Sequence, residues 1–388
     1  MRVAIVGGGG NIGQEVALGL IKVDAVTSIL LADVHDDPGR LRDRLRKNGK
    51  VSLIRLDARD SKRLAAELLE TRLVINCAAP FAETVGPVAR TAVAVGADYI
   101  DVCDDFAATA SLLDPDLDQA ARRAEVSLIT GMGSDPGTNN LLAAWYAKKL
   151  DTVEAVSLFW AVDIGELAGA ALTHATAMLA GQVPQYLDSR LQHVEGGDGE
   201  EMVVFADPIG ACLVRYVGHP QPLTMPRHMP DLKSLTVKGA ILPAWADQLL
   251  MAQKARGLLR PDPLEVKGAR VRPLEMTAAR WRELARDKEP GPGVSGLKVV
   301  VTGEAQGRKI SYTADMVGAM GPGTGLPAAI AARLLLTGKI SAKGVLAPED
   351  AIEPEVYLPL LIASGARIQQ TRSETVMLSA NDGEGWLS

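Results

Sequence analysis

Short, almost wholly apolar runs recur through the first 130 residues, each followed by a stretch with helical spacing. They are Val3–Val6, Ser28–Ala32, Val51–Leu56, Leu73–Cys77, Tyr99–Val102 and Val126–Ile129, and the first leads into a helix through about Lys22. Strands that are apolar on both faces are buried on both faces, and strand–helix repeats place those strands parallel in one sheet with helices on either side. The pattern predicts a doubly wound α/β domain over residues 1–135. From about Asp151 the register changes. "VEAVSLFWAVDIG" and "LKVVVTGEAQGRKISYTADMV" alternate apolar and polar positions, the second with a turn near Gln306-Gly307, which predicts strands of a mixed or antiparallel sheet. "VEGGDGEEMVVF" reads as a surface hairpin and 287–296 as a surface loop. These belong to a second α/β domain, a substrate domain over 136–323. Near Gly325, "LPAAIAARLLLTGKI" resumes a helical pattern that is apolar on several faces, so the segment 324–388 is expected to return to the first domain.

Composition adds exclusions. A chain of 388 residues with 47% hydrophobic and 23% charged residues is long enough for two cores and has no disordered signature. The net charge of −6 and scattered basic residues give no footprint for nucleic acid; the densest basic run, Arg40 to Lys47, reads as a solvated helix face. No apolar run reaches the roughly 18 residues of a membrane span, and the start resembles no secretion signal. Three cysteines without a CxxC pair suit a reducing cytoplasm, and five dispersed histidines argue against a metal site.

The opening strand runs into "VAIVGGGGNIG". Gly8, Gly10 and Gly13 stand in GxGxxG register between a strand and a helix, where glycines permit the tight turn, close approach of a pyrophosphate and close helix–strand packing. Asn11 and Ile12 complete the turn, and the free N–H groups of the helix start suit a phosphate. Asp33 closes the second strand twenty residues beyond Gly13, the position of an acid that accepts from ribose hydroxyls. A carboxylate there repels a 2′-phosphate, so NAD is the expected cofactor; Arg40 nearby keeps NADP open. Asp57 closes the third strand and borders either the adenine or nothing in particular. Cys77, Ala78, Ala79 and Pro80 end the fourth strand with small side chains that leave room for a nicotinamide, Cys77 as a buried apolar residue and not a nucleophile.

"GMGSDPGTNN" (131–140) poses a separate question. A strand ends in a stiff turn that displays Asp135 before Pro136-Gly137 and a helix from about Thr138, either to cap that helix or to meet a ligand. Taken together, "VAIVGGGGNIG", "LLAD", "GADYIDVCDDF", "GMGSDPGTNNLLA" and "GVLAPEDAI" resemble the saccharopine dehydrogenase-like family, in its saccharopine reductase and lysine 6-dehydrogenase branch. The resemblance runs to about residue 372 and is nearest to lysine 6-dehydrogenase. It implies a Rossmann domain with an inserted α/β substrate domain, and NAD(P)-dependent chemistry on a C–N bond of an amino acid or amine. Such a substrate arrives as an ammonium ion, which gives Asp135 a binding role; saccharopine reductases share the "DPG" turn, whereas lysine 6-dehydrogenase lacks the acid. Asp104 and Asp105 end the fifth strand, where carboxylates suit a cation and also serve as helix caps, while Asp101 reads as structural. His174 has a counterpart in the resembled enzymes and is an acid–base candidate. Arg227 is a candidate for gripping a substrate carboxylate, or else forms a surface or interdomain salt bridge. The expected protein is a cytoplasmic homo-oligomeric dehydrogenase. Two alternatives remain: a C=C (enoyl) reductase on the same fold, and a non-catalytic NAD-binding regulator.

Overall fold

The computed structural model describes residues 1–167, 170–260, 262–287 and 291–375. The apolar runs of the N-terminal part become β1 (Arg2–Val6), β2 (Ser28–Asp33), β3 (Val51–Arg55), β4 (Leu73–Asn76), β5 (Asp98–Asp101) and β6 (Ser127–Ile129). They lie parallel in the order β6-β5-β4-β1-β2-β3. Residues at alternate positions of β1, Val3 and Ile5 against Ala4 and Val6, enter two separate cores on the two sheet faces, which is why the run is apolar throughout. The order reverses between β1 and β4, and the crevice outside their carboxyl ends is where open α/β sheets bind ligands.

A second sheet contains β7 (Thr152–Asp163), β8 (Gln182–Leu187), β9 (Arg190–Glu195), β10 (Glu201–Val204), β11 (Ala211–Tyr216) and β12 (Ser234–Leu242). A two-stranded ribbon, β13 (Leu264–Val266) with β14 (Ala269–Val271), stands apart, and the long hairpin β15 (Ser295–Ala305) and β16 (Arg308–Gly318) joins the second sheet. Only β7 and β12 are parallel neighbours there; the other pairs are antiparallel. The turn expected near Gln306-Gly307 joins β15 to β16, and both residues have positive φ. The expected hairpin over "VEGGDGEEMVVF" does not form: β9 pairs with β8 and β10 with β11, so these glycines join two strands that face different partners. Of the loop 287–296, residues 288–290 lie outside the described residues, and β15 begins at Ser295.

The helix Met320–Leu336 packs against the helix Asn11–Leu20, buried along most of its length. Two glycines allow this approach: a Cβ on Gly19 would lie 2.6 Å from the Ala329 Cβ, and one on Gly325 would lie 2.5 Å from the Glu15 Cβ. After it, β17 (Gly344–Leu346) adds to β6 as a seventh parallel strand. The chain then leaves this domain again, because β18 (Gln369–Thr375) pairs with β16 in the second sheet. The segment expected to return as a whole to the first domain is therefore shared between the two sheets, and residues 376–388 lie outside the described residues. The run Arg40–Lys47 forms no long helix face. It is a short turn at Pro38–Arg40 and one helical turn at Asp43–Arg46, with Arg42 paired to Glu15 at 2.6 Å.

Candidate active site

The glycine-rich loop is built before anything binds it. Gly7, at φ +76°, and Gly8 both donate to the Ala32 carbonyl, at 2.8 and 3.2 Å, which ties the loop to the end of β2. A Cβ on Gly13 would press on the Gly8 Cα at 2.7 Å, so the helix can start this close to the strand only with glycine there. No side chain caps the first turn of the helix Asn11–Leu20, leaving its N–H groups and partial positive charge to a ligand. An unsubstituted, positively polarised cradle of this shape fits the pyrophosphate of a dinucleotide.

A cavity of about 810 Å³ runs from this cradle into the space between the two sheets. Of the cofactor residues expected from sequence, Gly10, Asn11, Ile12, Gly13, Cys77 and Ala79 line it, as does Arg40. Gly8, Asp33, Asp57, Ala78 and Pro80 do not. Gly8 sits beneath the loop against Ile5 and Leu31. The Asp33 carboxylate accepts from Gly9 N at 3.0 Å and His35 N at 3.1 Å, behind the cradle. Asp57 is held by Arg59, whose hydrogen bonds lower its pKa to about 2. The Ala78 N–H and carbonyl are taken by Asn76 and Thr84, and exposed Pro80 precedes the helix Phe81–Ala94. Burial, then the charge of Asp101, pushes the Cys77 thiol up to about 12, which leaves it protonated and inert at neutral pH.

At the inner end, two carboxylates reach the cavity from neighbouring strand ends. Asp104 follows β5 and accepts from His174 Nε2 at 2.6 Å, the histidine standing on the helix Ala170–Ala177 of the second domain. Burial would raise the Asp104 carboxyl, but the charge and hydrogen bond of His174, with the more distant charge of His219, outweigh it and hold it below the ordinary carboxylate range. His174 is shifted the other way: burial would lower it, yet Asp104 and then Asp105 raise it. Phe81 meets the imidazole edge-on at 5.7 Å. Asp105 itself turns away and caps the helix Phe106–Leu112 through Ala107 N and Ala108 N, both at 2.9 Å. It is thus a helix cap and not a cavity residue. Asp101 is wholly buried and ties the site together, accepting on one oxygen from Cys103 N, Thr130 Oγ1 and Gly131 N.

Asp135 sits in a turn closed by a Gly133 N to Pro136 O bond of 2.9 Å, its peptide to Pro136 cis. It does not cap the helix Thr138–Ala147, because Asn140 Oδ1 takes that role on Gly137 N at 3.1 Å. The side chain is 5% exposed. Its Oδ1 is held by the amides of Asn139 and Gln221, and His219 Nδ1 lies 3.5 Å away, an ion-pair distance without hydrogen-bond geometry. Asp135 Oδ2 is buried and has no partner. An unpaired buried carboxylate oxygen costs on the order of 1–3 kcal/mol or more, and beside a cavity that cost is relieved when a donor enters. His219, Gln221 and Trp160 are neighbours of Asp135 that sequence reasoning missed or rated as weak, because no motif surrounds them and only the fold brings them there; Asn139 lies in the same turn motif, four residues on, where its role as a partner of Asp135 went unread. Arg227 is not among the cavity residues. It pairs with Asp350 on the exterior beside His228, 44% exposed, and forms the interdomain salt bridge that was its alternative.

Family models match in two places: the saccharopine dehydrogenase NADP binding domain over residues 3–132, and the saccharopine dehydrogenase C-terminal domain over 197–363. The chain belongs to the saccharopine dehydrogenase family. As a member it is an NAD(P)-dependent oxidoreductase, and the glycine cradle lies within the part that matches the NADP binding domain. The apo saccharopine dehydrogenase (L-Glu forming) from Saccharomyces cerevisiae superposes with a TM-score of 0.70 at 16% identity, over 96% of this chain and 99% of that one. C. glutamicum DAP dehydrogenase in complex with DAP gives 0.47 at 15% identity, over 94% and 99%. At such identities the likeness is one of fold. Among the described residues there is no group of three or more metal-binding side chains, and no helix long and apolar enough to cross a membrane.

Proposed function

We propose that this saccharopine dehydrogenase family member oxidises or reduces a C–N bond of an amino acid or amine through an imine, with NAD preferred. The observation that carries the reading is Asp135: a buried carboxylate fixed on one oxygen by two amides, with the other oxygen unpartnered, in a cavity continuous with the dinucleotide cradle. A carboxylate so placed binds an ammonium group and orients the carbon that bears it. A dinucleotide held by the cradle would supply the hydride acceptor for that carbon. His174, aligned by Asp104, takes the proton from the amine nitrogen, and apolar neighbours such as Met178, Leu297 and Met316 keep water away from the reacting atoms. A C=C reductase has no comparable use for Asp135, and a binding-only protein has no use for the Asp104–His174 pair.

Assay of NAD(P)H formation on a panel of amines and amino acids tests the reaction class. Asp135→Asn tests the residue: kcat/KM is expected to fall at least about tenfold, some 1.4 kcal/mol, with NAD affinity unchanged. Normal turnover in that variant would remove the basis of the proposal.

A further inference from the structure

Around Asp135 the unpartnered polar atoms form two sets of opposite character. Asp135 Oδ2 and Gln221 Oε1 are acceptors; the indole Nε1 of Trp160 and both ring nitrogens of His219 are also buried without partners. An indole N–H only donates, so whatever satisfies Trp160 is an acceptor. Trp160 and His219 both line the cavity, their rings 6.1 Å apart, and each is more than nine-tenths buried. The indole direction is built in. Trp160 on β7 is paired with Gly239 on β12, and a Cβ at Gly239 would run into the indole, so the ring is seated in the space that glycine leaves. Arg40 and Arg367, guanidinium groups that the cavity also reaches, are exposed.

We infer that His219 and Trp160 receive the carboxylate of a substrate whose ammonium sits on Asp135, so that the reacting amine is an α-amine. Ammonium and carboxylate on one carbon lie a few ångströms apart, and His219 Nδ1 lies 3.5 Å from Asp135 Oδ1, so one α-amino-acid head spans both sets. This inference rests on the C–N reading and adds to it where the carboxylate lies and which residues select it.

The test measures kcat/KM for α-amino acids, each against its decarboxylated amine (leucine with 3-methylbutylamine, lysine with cadaverine), in the intact protein with NAD and NADP. The wild type is expected to favour the amino acid at least tenfold. Trp160→Phe keeps the ring and removes the N–H, and His219→Gln keeps a single donor; each should lower the amino-acid-to-amine ratio by at least tenfold. An equal loss on both substrates, or a wild type that favours the amine, overturns this inference and leaves the C–N reading standing. Oxidation of no amine of either kind overturns both.

Discussion

The Asp104–His174 pair joins the two domains across the cavity, and its electrostatics give the site a pH signature. A base must be neutral to accept a proton. The Asp104 charge raises the His174 pKa above the ordinary imidazole value of about 6.5, so if His174 is the base, as proposed, the acidic limb of the kcat/KM profile is expected above that pH. Asp104→Asn removes the charge and keeps a hydrogen-bonding group, so the limb should move to lower pH while activity falls. A limb that stays in place would show that His174 is not the titrating base. The proposed preference for NAD rests on Asp33, which lies behind the cradle and outside the cavity lining: it accepts two backbone N–H groups and has lone pairs left for ribose hydroxyls, its charge would oppose a 2′-phosphate, and exposed Arg40, which does line the cavity, would welcome one. Replacing Asp33 by Ser should weaken NAD binding and narrow the gap to NADP. If the unaltered protein binds NADP tenfold more tightly, a difference of about 1.4 kcal/mol, Asp33 does not govern the choice.

Between elements, the contact of the helix Met320–Leu336 with the helix Asn11–Leu20 depends on missing side chains. Gly→Ala in a helix normally stabilises by roughly 1 kcal/mol. At Gly323, where nothing lies within 4 Å of an added Cβ, that sign should hold. Gly325→Ala should have the opposite sign, because the Cβ meets Glu15 Cβ at 2.5 Å and the Ile12 carbonyl at 3.0 Å; overpacking of this kind costs about 1–3 kcal/mol. Thermal melts of the two variants without cofactor would decide, and a stabilised Gly325→Ala would refute the close-packing argument. The same helix shows what was legible in the sequence. Its apolar residues on several faces announce burial on more than one side, just as the all-apolar β1 and β4 announce a sheet covered on both faces. The glycine cradle was legible too, because its function lies in the backbone and only glycine permits that backbone. The pairing of β9 and β10 was not, since alternation marks a strand but not its neighbour. Nor were Trp160, His219 and Gln221 legible as a group: Trp160 comes from one stretch and the neighbouring His219 and Gln221 from another, and sequence spacing carries no trace of their meeting in the fold. Arg227 misled because a guanidinium has the right chemistry for a substrate carboxylate, while its position was decided by the carboxylate of Asp350, more than a hundred residues away.

For the whole molecule, the C-terminal segment behaves as a clasp on the nucleotide-binding domain and on the turn that carries Asp135. β17 pairs with β6, Ser127 Oγ donates to the Ala342 carbonyl at 2.6 Å, and Lys343 lies 3.8 Å from the buried Asp98. Beyond it, Tyr357 and Thr138 share a buried hydroxyl–hydroxyl bond of 2.7 Å, and Asn140, which caps the helix after Asp135, donates to Glu349 at 2.7 Å. The aligned carboxylate is therefore held from two sides, by the strand before it and by the segment that returns. Truncation after Gly323 removes one of the two strand partners of β6, the cover of the helix Asn11–Leu20 and both bonds behind the Asp135 turn. Backbone groups of β6 lose their hydrogen-bond partners, and the apolar face of the first helix meets water, each a loss of the kind that destabilises by kilocalories and not by tenths. The truncated chain is expected to melt at clearly lower temperature and to bind NAD more weakly, because the loop that cradles the pyrophosphate starts the exposed helix. NAD affinity and melting temperature equal to those of the full chain would show that the N-terminal sheet is complete without its seventh strand.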